Sequence, residues 1–437
     1  MPSIPNPQSP IPREDRVLTK FTGLFGPEFN HGKPFDLAPL RAVTRDLQAK
    51  LPPVIHVAGT NGKGSTIAFL RAIAAAAGWR VHAFTKPHLF KLNERFVVAG
   101  ETASDAALIA AAERIAQQAP QLSQFDAQVA AALTLFSEIP ADLVLIETGM
   151  GGRDDSTNII DWPVLSIITP IGLDHQDALG ASLEQIAAHK AGIIKPHVPV
   201  VVARQPRQAM DVIEAHAARA DAPLYRAGVE WDAFASSGRL LVQTETQTVD
   251  LPLPALTGRH QLENAGLAVA AMLFGPFKPS EDAIARGIAS ARWPARLQPL
   301  TRGRFSAPIR DIGGEVWVDA GHNAHAAKAL ADALNDMDRA RPRESVIAIV
   351  GMRARKDADA FIGALAGAVD RIIAVPLSEP HIAPDMIAAY AAQFSVDAAT
   401  APSLAAAMQN AAQLPAPRVL ICGSFLLAAE ALAAEQP

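Results

Sequence analysis

The stretch Pro53-Val54-Ile55-His56-Val57-Ala58-Gly59-Thr60-Asn61-Gly62-Lys63-Gly64-Ser65-Thr66 constrains this chain more than any other. β-favouring and apolar residues run into three glycines within six positions, and a helical run from Ser65 to Trp79 follows at once. Strand, glycine-rich turn and helix in that order predict a phosphate loop. Glycines let backbone N–H groups converge on an anion, and the helix N-terminus adds positive potential. Gly59, Thr60, Asn61, Gly62, Lys63, Gly64 and Ser65 are the candidate nucleotide-binding residues. Lys63 can reach terminal phosphates, and the Ser65 hydroxyl can ligate Mg²⁺. The general pattern GxxxxGK followed by Ser or Thr is not met. Val57 stands where its first Gly should be, and Gly64 separates Lys63 from Ser65. A bare glycine turn between strand and helix would need neither the lysine nor the serine.

Two further positions carry charge at the ends of apolar runs. Leu143-Val144-Leu145-Ile146 ends in Glu147. A strand buried on both faces has this pattern, and open α/β sheets bind ligands at the carboxyl ends of their strands. Glu147 is therefore a candidate Mg²⁺ ligand. Val164 to Thr169 is the next buried strand and leads to Ile171-Gly172-Leu173-Asp174-His175, where His175 is either a satisfied structural group or, as neutral imidazole, a metal ligand. Thr148 to Asn158 carries three glycines within four residues and is a loop. Helices are expected over Arg16–Phe25, Asp105–Gln118, Phe125–Glu138, Leu183–Gly192 and Arg207–Ala218, and from Gly258 onward. Another opens near Phe35-Asp36, with Asp36 as its N-cap. Short runs between Leu224 and Leu253 predict a small antiparallel patch.

A length of 437 residues makes two domains the default, divided here at 1–293 and 294–437. Pro294 is expected to end the preceding helix. Beyond it, strands and helices alternate from Val316 to Ile421, which predicts a doubly wound sheet. No GxGxxG opens this part, so dinucleotide binding is unsupported. The fold class expected is α/β. It has an N-terminal P-loop ATPase-like domain with a mainly parallel sheet, and a smaller C-terminal Rossmann-like α/β domain.

A net charge of −5 gives no basic footprint for nucleic acid. Cys422 is the single cysteine, which forbids an intrachain disulfide and fits a reducing compartment. The first twelve residues hold five prolines and no apolar signal core, so residues 1–15 are expected to be a loose arm and secretion is not expected. No stretch of about 18 apolar residues suggests a membrane span. A cytoplasmic monomer is the expectation.

The loop Gly59 to Ser65 resembles the ATP loop of the Mur ligase superfamily, and most of all its folylpolyglutamate synthase and dihydrofolate synthase members. Five further stretches, in the family's order, extend the resemblance from about Asp36 to Ser424. Thr85-Lys86-Pro87-His88-Leu89 followed by Asn93-Glu94-Arg95-Phe96 is similar to T-S-P-H-L…N-E-R-I, with Lys86 in place of a serine near the first metal. A protonated amine cannot ligate Mg²⁺. Either Thr85 or water takes that place, or Lys86 contacts phosphate. Arg95 would bind a substrate carboxylate or make a surface salt bridge. Phe125-Asp126 resembles a Phe-Glu pair whose ring lies against the pterin, with a core phenylalanine as the alternative. The Asp36 stretch is similar to one near the pterin pocket, and N-capping alone is the alternative.

Thr148 to Asn158 resembles G-L-G-G-R-L-D-A-T-N, and Asp155 matches its pterin-contacting aspartate. Lys190 matches a lysine that is carbamylated and helps bind a second Mg²⁺. Unmodified, it would contact phosphate or snorkel. The resemblance places Asn264 on ATP, in a stretch similar to G-x-H-Q-x-x-N-A, and Arg296 on phosphate. The family has glycine where Ala295 stands. Asp319-Ala320-Gly321-His322-Asn323 is similar to a motif whose Asp and His reach the nucleotide from the second domain, and Gly423-Ser424 matches the family's final pair.

Together these imply ATP and two Mg²⁺ ions as cofactors. The small-molecule substrates would be dihydropteroate, folates and L-glutamate. Lys63, Glu147, His175 and Lys190 would be catalytic; Ser65, Glu147, His175 and Lys190 would hold metal; Phe125, Asp155 and Arg95 would hold substrate. The reaction implied is ligation of glutamate to a carboxylate activated as an acyl phosphate. The alternatives are folate extension alone, another ligase of the superfamily, or a nucleotide-gated binding protein without ligase activity.

Overall fold

The computed structural model describes residues 15–27 and 36–436. Apart from Asp15, the proline-rich arm lies outside them, as does Phe35. The chain divides into two compact units, one spanning Asp15–Trp293 and the other beginning at Pro294.

In the first unit, β1 (Val54–Ala58), β2 (Val81–Phe84), β3 (Phe96–Val98), β4 (Glu101–Thr102), β5 (Leu143–Glu147), β6 (Leu165–Ile168), β7 (Val200–Val202) and β8 (Leu224–Arg226) form one sheet. Their order is β4-β3-β2-β5-β1-β6-β7-β8. The strands around β1 run parallel, and β3 and β4 turn antiparallel at one edge. Every residue of β1 and β5 is buried. Alternation along β5 explains why an unbroken apolar run is needed. Leu143 and Leu145 join a core with the helices Lys63–Ala76 and Arg259–Phe274. Val144 and Ile146 join another with the helices Asp105–Gln118 and Gln124–Glu138. Each such side chain contributes about 1.5–3 kcal/mol by burial, so the edge bearing the loop stands on a rigid base.

Local departures from the expected elements have physical causes. The helix after β1 starts at Lys63, because Gly62 is left-handed (φ 89°) and turns the chain there. Asp36 does not occupy the N-cap, which is Leu37, yet its carboxylate still accepts the Ala38 N–H at 2.9 Å. The helix Glu281–Ser290 ends before Pro294 is reached, where Ala291 leaves helical dihedrals (ψ 136°). The antiparallel patch is β9 (Trp231–Ser236), β10 (Arg239–Thr244) and β11 (Thr248–Pro252). Leu224–Arg226 is not part of it, because β7 offers a parallel edge that β8 pairs instead.

The second unit holds β12 (Gln298–Leu300), β13 (Glu315–Val318), β14 (Val346–Val350), β15 (Arg371–Ala374), β16 (Asp397–Thr400) and β17 (Arg418–Cys422). Their order is β12-β13-β17-β14-β15-β16, parallel except where β12 runs against β13. The protein is thus α/β, with a parallel-dominated sheet and a second, mixed one.

Candidate active site

The loop between β1 and its helix is braced from β6. The Thr60 and Asn61 N–H groups donate to the Pro170 carbonyl (3.0 and 3.3 Å), and the Thr169 hydroxyl donates to the Asn61 carbonyl at 2.6 Å. Thr66 is the first helical residue whose N–H meets a carbonyl of its own turn, that of Gly62. Helix geometry leaves the N–H groups of Lys63, Gly64 and Ser65 without an in-helix acceptor, and no side chain caps this end. That is the donor array an anion needs. Gly64, the residue that breaks the general motif, lies against the Trp293 ring; a Cβ there would sit 2.8 Å from it. Close packing accounts for the insertion. Asn264 hydrogen-bonds Gln261 at 3.1 Å and faces Gly62.

Charge converges on this loop. The Lys63 ammonium donates to the Gly59 and Thr60 carbonyls at 3.1 Å each and lies 3.9 Å from the Glu147 carboxylate. Parallel pairing of β1 with β5 sets Glu147 beside Val57, which explains the closeness. Lys190 is buried and donates to the Gly59 carbonyl at 2.7 Å. Burial, with the Lys63 charge adding, pushes its pKa down to about 7. Ser65 is buried at the first helical turn. His175 is left-handed (φ 53°), its ring half-exposed and 4.0 Å from the Asp174 carboxylate. Among the described residues, no three His, Cys, Asp or Glu side chains gather to hold a metal.

A second group lies beyond Glu147. The Lys86 N–H donates to the Glu147 carboxylate at 3.2 Å, and its ammonium lies 4.3 Å from the Phe125 ring centroid. Phe125 is half-buried, and its ring closely approaches Gly149. Arg95 is buried, not at the surface. It donates to His88 at 3.0 Å and to Gln128 at 2.7 Å. Asp155 is committed within its own loop, accepting from the Met150 N–H (2.7 Å), the Thr157 N–H (3.0 Å) and the Thr157 hydroxyl (2.6 Å). That hydroxyl spends its proton on Asp155, so His56 Nε2–H must donate to it across 2.9 Å. Burial holds the His56 pKa down to about 3, which keeps the ring neutral for this task. Sequence reasoning missed His56. Its signal was a histidine inside an otherwise apolar strand.

In the second unit, Asp319 follows β13 and is buried. Its carboxylate accepts the Leu297 N–H (2.8 Å) and the Gly321 N–H (2.6 Å), so it fastens the Ala295–Leu297 turn to the strand end. The Arg296 guanidinium lies 5.1 Å from the Phe425 ring, and the His322 ring lies 5.7 Å from the same ring. Phe425, directly after Gly423-Ser424, is the shelf that brings them together. Ala295 is left-handed (φ 56°), a conformation natural to glycine.

The Mur ligase middle-domain model matches residues 57–272, and the Mur ligase glutamate-ligase-domain model matches residues 303–425. This chain belongs to the Mur ligase family. It is 34% identical over 407 residues to the dihydrofolate synthase/folylpolyglutamate synthase of Escherichia coli, covering 90% of each chain. Among solved structures it is similar to E. coli FolC in complex with DHPP and ADP (TM-score 0.82, 31% identity, 95% of each chain). It is also similar to the bifunctional folylpolyglutamate synthase/dihydrofolate synthase of Yersinia pestis complexed with AMPPNP and Mn ion. There the TM-score is 0.84 at 31% identity, over 98% of this chain and 99% of that one.

Proposed function

We propose that this protein is an ATP-dependent carboxylate–amine ligase that joins L-glutamate to dihydropteroate, forming dihydrofolate, and to folates, forming polyglutamates. The observation that carries the reading is the convergence of Lys63, Lys190 and Glu147 on a braced phosphate loop, in a chain similar over nearly its full length to enzymes of that name.

The residues fit a divalent cation, since Glu147 presents a buried carboxylate 3.9 Å from Lys63 on the phosphate loop, and hard cations take oxygen donors. When bound, the metal neutralises phosphate charge and so lets a second anion approach. Ser65, Glu147 and His175 would be metal ligands. Lys190 would help hold a second ion as its carbamate. A neutral amine is needed to attack CO₂, and a pKa near 7 supplies one at neutral pH. The N–C bond forms and one proton is released. Density on Lys190 beyond its nitrogen in a crystal of the protein would test this directly.

This chain's part in the reaction is then positional. The helix N–H groups and Lys63 hold the phosphates, Asn264 supports the nucleotide, and Arg296, Asp319 and His322 contribute from residues 294–437. The acceptor carboxylate attacks the γ-phosphorus, giving an acyl phosphate. The glutamate amine displaces phosphate from it. Phe125, Arg95 and Asp155 belong to the acceptor side, with Asp155 acting by holding its loop. Among the described residues no helix is long and apolar enough to cross a membrane. A cytoplasmic monomer completes the reading.

The test is ADP release by purified protein with Mg·ATP and glutamate, offered dihydropteroate and tetrahydrofolate separately. Turnover that depends strictly on both acceptor and glutamate is expected with each. Use of tetrahydrofolate alone would leave an extension-only enzyme. ATP hydrolysis indifferent to both would reject the ligase.

A further inference from the structure

We propose that Lys86 recognises the carboxylate of the acceptor substrate, and that the Phe125 ring is the resting place of its ammonium. This deepens the reaction proposed above and rests on it.

Three observations carry it. The Lys86 backbone N–H is bound to Glu147 at 3.2 Å, so its side chain starts beside the carboxylate that neighbours the phosphate loop. From there the ammonium lies 4.3 Å from the Phe125 centroid, over the ring. The ring itself is placed by Gly149, whose missing side chain admits it, and by Phe84, whose centroid is 6.1 Å away. Lys86 therefore spans from the carboxylate that neighbours the phosphate loop to an aromatic shelf. This is also where the sequence departs from T-S-P-H-L, with Lys86 in the serine's place.

The arrangement couples two kinds of recognition. An aromatic ligand can take this face of Phe125 only when the ammonium leaves it. A carboxylate on the same ligand gives the ammonium a charge-assisted hydrogen bond in exchange for the ring contact. Ring and carboxylate then favour each other's binding. In the first chemical step a carboxylate oxygen forms a bond to the γ-phosphorus. The bond from that phosphorus to the bridging oxygen breaks, and ADP leaves with the electron pair. Lys86 keeps its proton throughout and offsets the negative charge gathering between two anions.

The experiment uses the full chain with Mg·ADP and two calorimetric probes, dihydropteroate and its carboxamide. Wild type should bind the carboxylate about 10- to 100-fold more tightly, the range one charge-assisted hydrogen bond supplies. Lys86→Met should shrink that ratio to within about threefold while binding the carboxamide at least as well as wild type does. Lys86→Arg should restore part of the ratio. A purely structural Lys86 would weaken both probes alike. Wild-type discrimination surviving in Lys86→Met, or no discrimination in wild type, overturns the proposal. The reaction is scored separately, by wild-type turnover with dihydropteroate and glutamate. If turnover is present but Lys86→Met still discriminates, only the Lys86 assignment falls.

Discussion

Two strand ends in this molecule present charge by opposite means. At the end of β1, Lys190 is buried against the Gly59 carbonyl with its pKa pushed down to about 7, and Lys63 lies 3.9 Å from buried Glu147. At the end of β13, the buried carboxylate is Asp319, and each of its oxygens accepts a backbone N–H. The Arg296 guanidinium and the His322 ring there share the Phe425 ring. The first site holds charge under desolvation, so its groups are poised to change state or take a ligand. The second uses its carboxylate to fix backbone and keeps the Arg296 guanidinium on an aromatic surface. Reactivity belongs with the first arrangement, positioning with the second.

The sharpest way to break this comparison is Lys63→Ala. Loss of an electrostatic donor aimed at developing charge should lower kcat by about 10²–10³-fold, with circular dichroism unchanged. A folded variant with full ATP turnover would remove the loop from the chemistry. Asp319→Ala should act on structure instead. It strips the acceptor from two N–H groups at a buried carboxylate, at about 1–3 kcal/mol. Hydrogen exchange should quicken within residues 294–436 and stay unchanged around β1. Uniform acceleration would contradict the division of roles.

Lys190→Met sharpens the comparison through pH. A lysine whose pKa is near 7 in the fold and about 10.4 unfolded binds fewer protons folded across that window. Stability therefore rises with pH between the two values, and the burial penalty is felt in full below pH 7. In CO₂-free buffer the variant should gain more in Tm over wild type at pH 6 than at pH 9. An equal gain at both would mean Lys190 is not held neutral by its surroundings. The smallest effect is expected from Ala295→Gly, which removes left-handed strain but adds freedom to the unfolded chain. A net gain below about 1 kcal/mol in urea unfolding is expected, and a loss would show that Ala295 is unstrained.

Much was legible in the residues because it depends on local order. A short unbroken apolar run ending in Glu147 reads as a strand buried on both faces, and Leu143–Glu147 is that strand. The phosphate loop was legible from its glycines, though the helix begins two residues earlier than its apolar pattern indicates. Boundaries depend on single dihedrals, and Gly62 sets this one.

What the sequence by itself determined is the α/β alternation, the loop and the family to which the motifs belong. Tertiary structure decided which charges meet. Lys190 is 131 residues from Gly59 and reaches its carbonyl because β6 lies next to β1 and the Lys190 helix follows that strand. Arg95 became buried where Gln128, 33 residues further along the chain, meets its guanidinium, whereas the partners of Asp155 lie within its own loop. Partners as distant as those of Lys190 and Arg95 follow from strand order and from water exclusion, and neither is encoded in a residue's immediate neighbours.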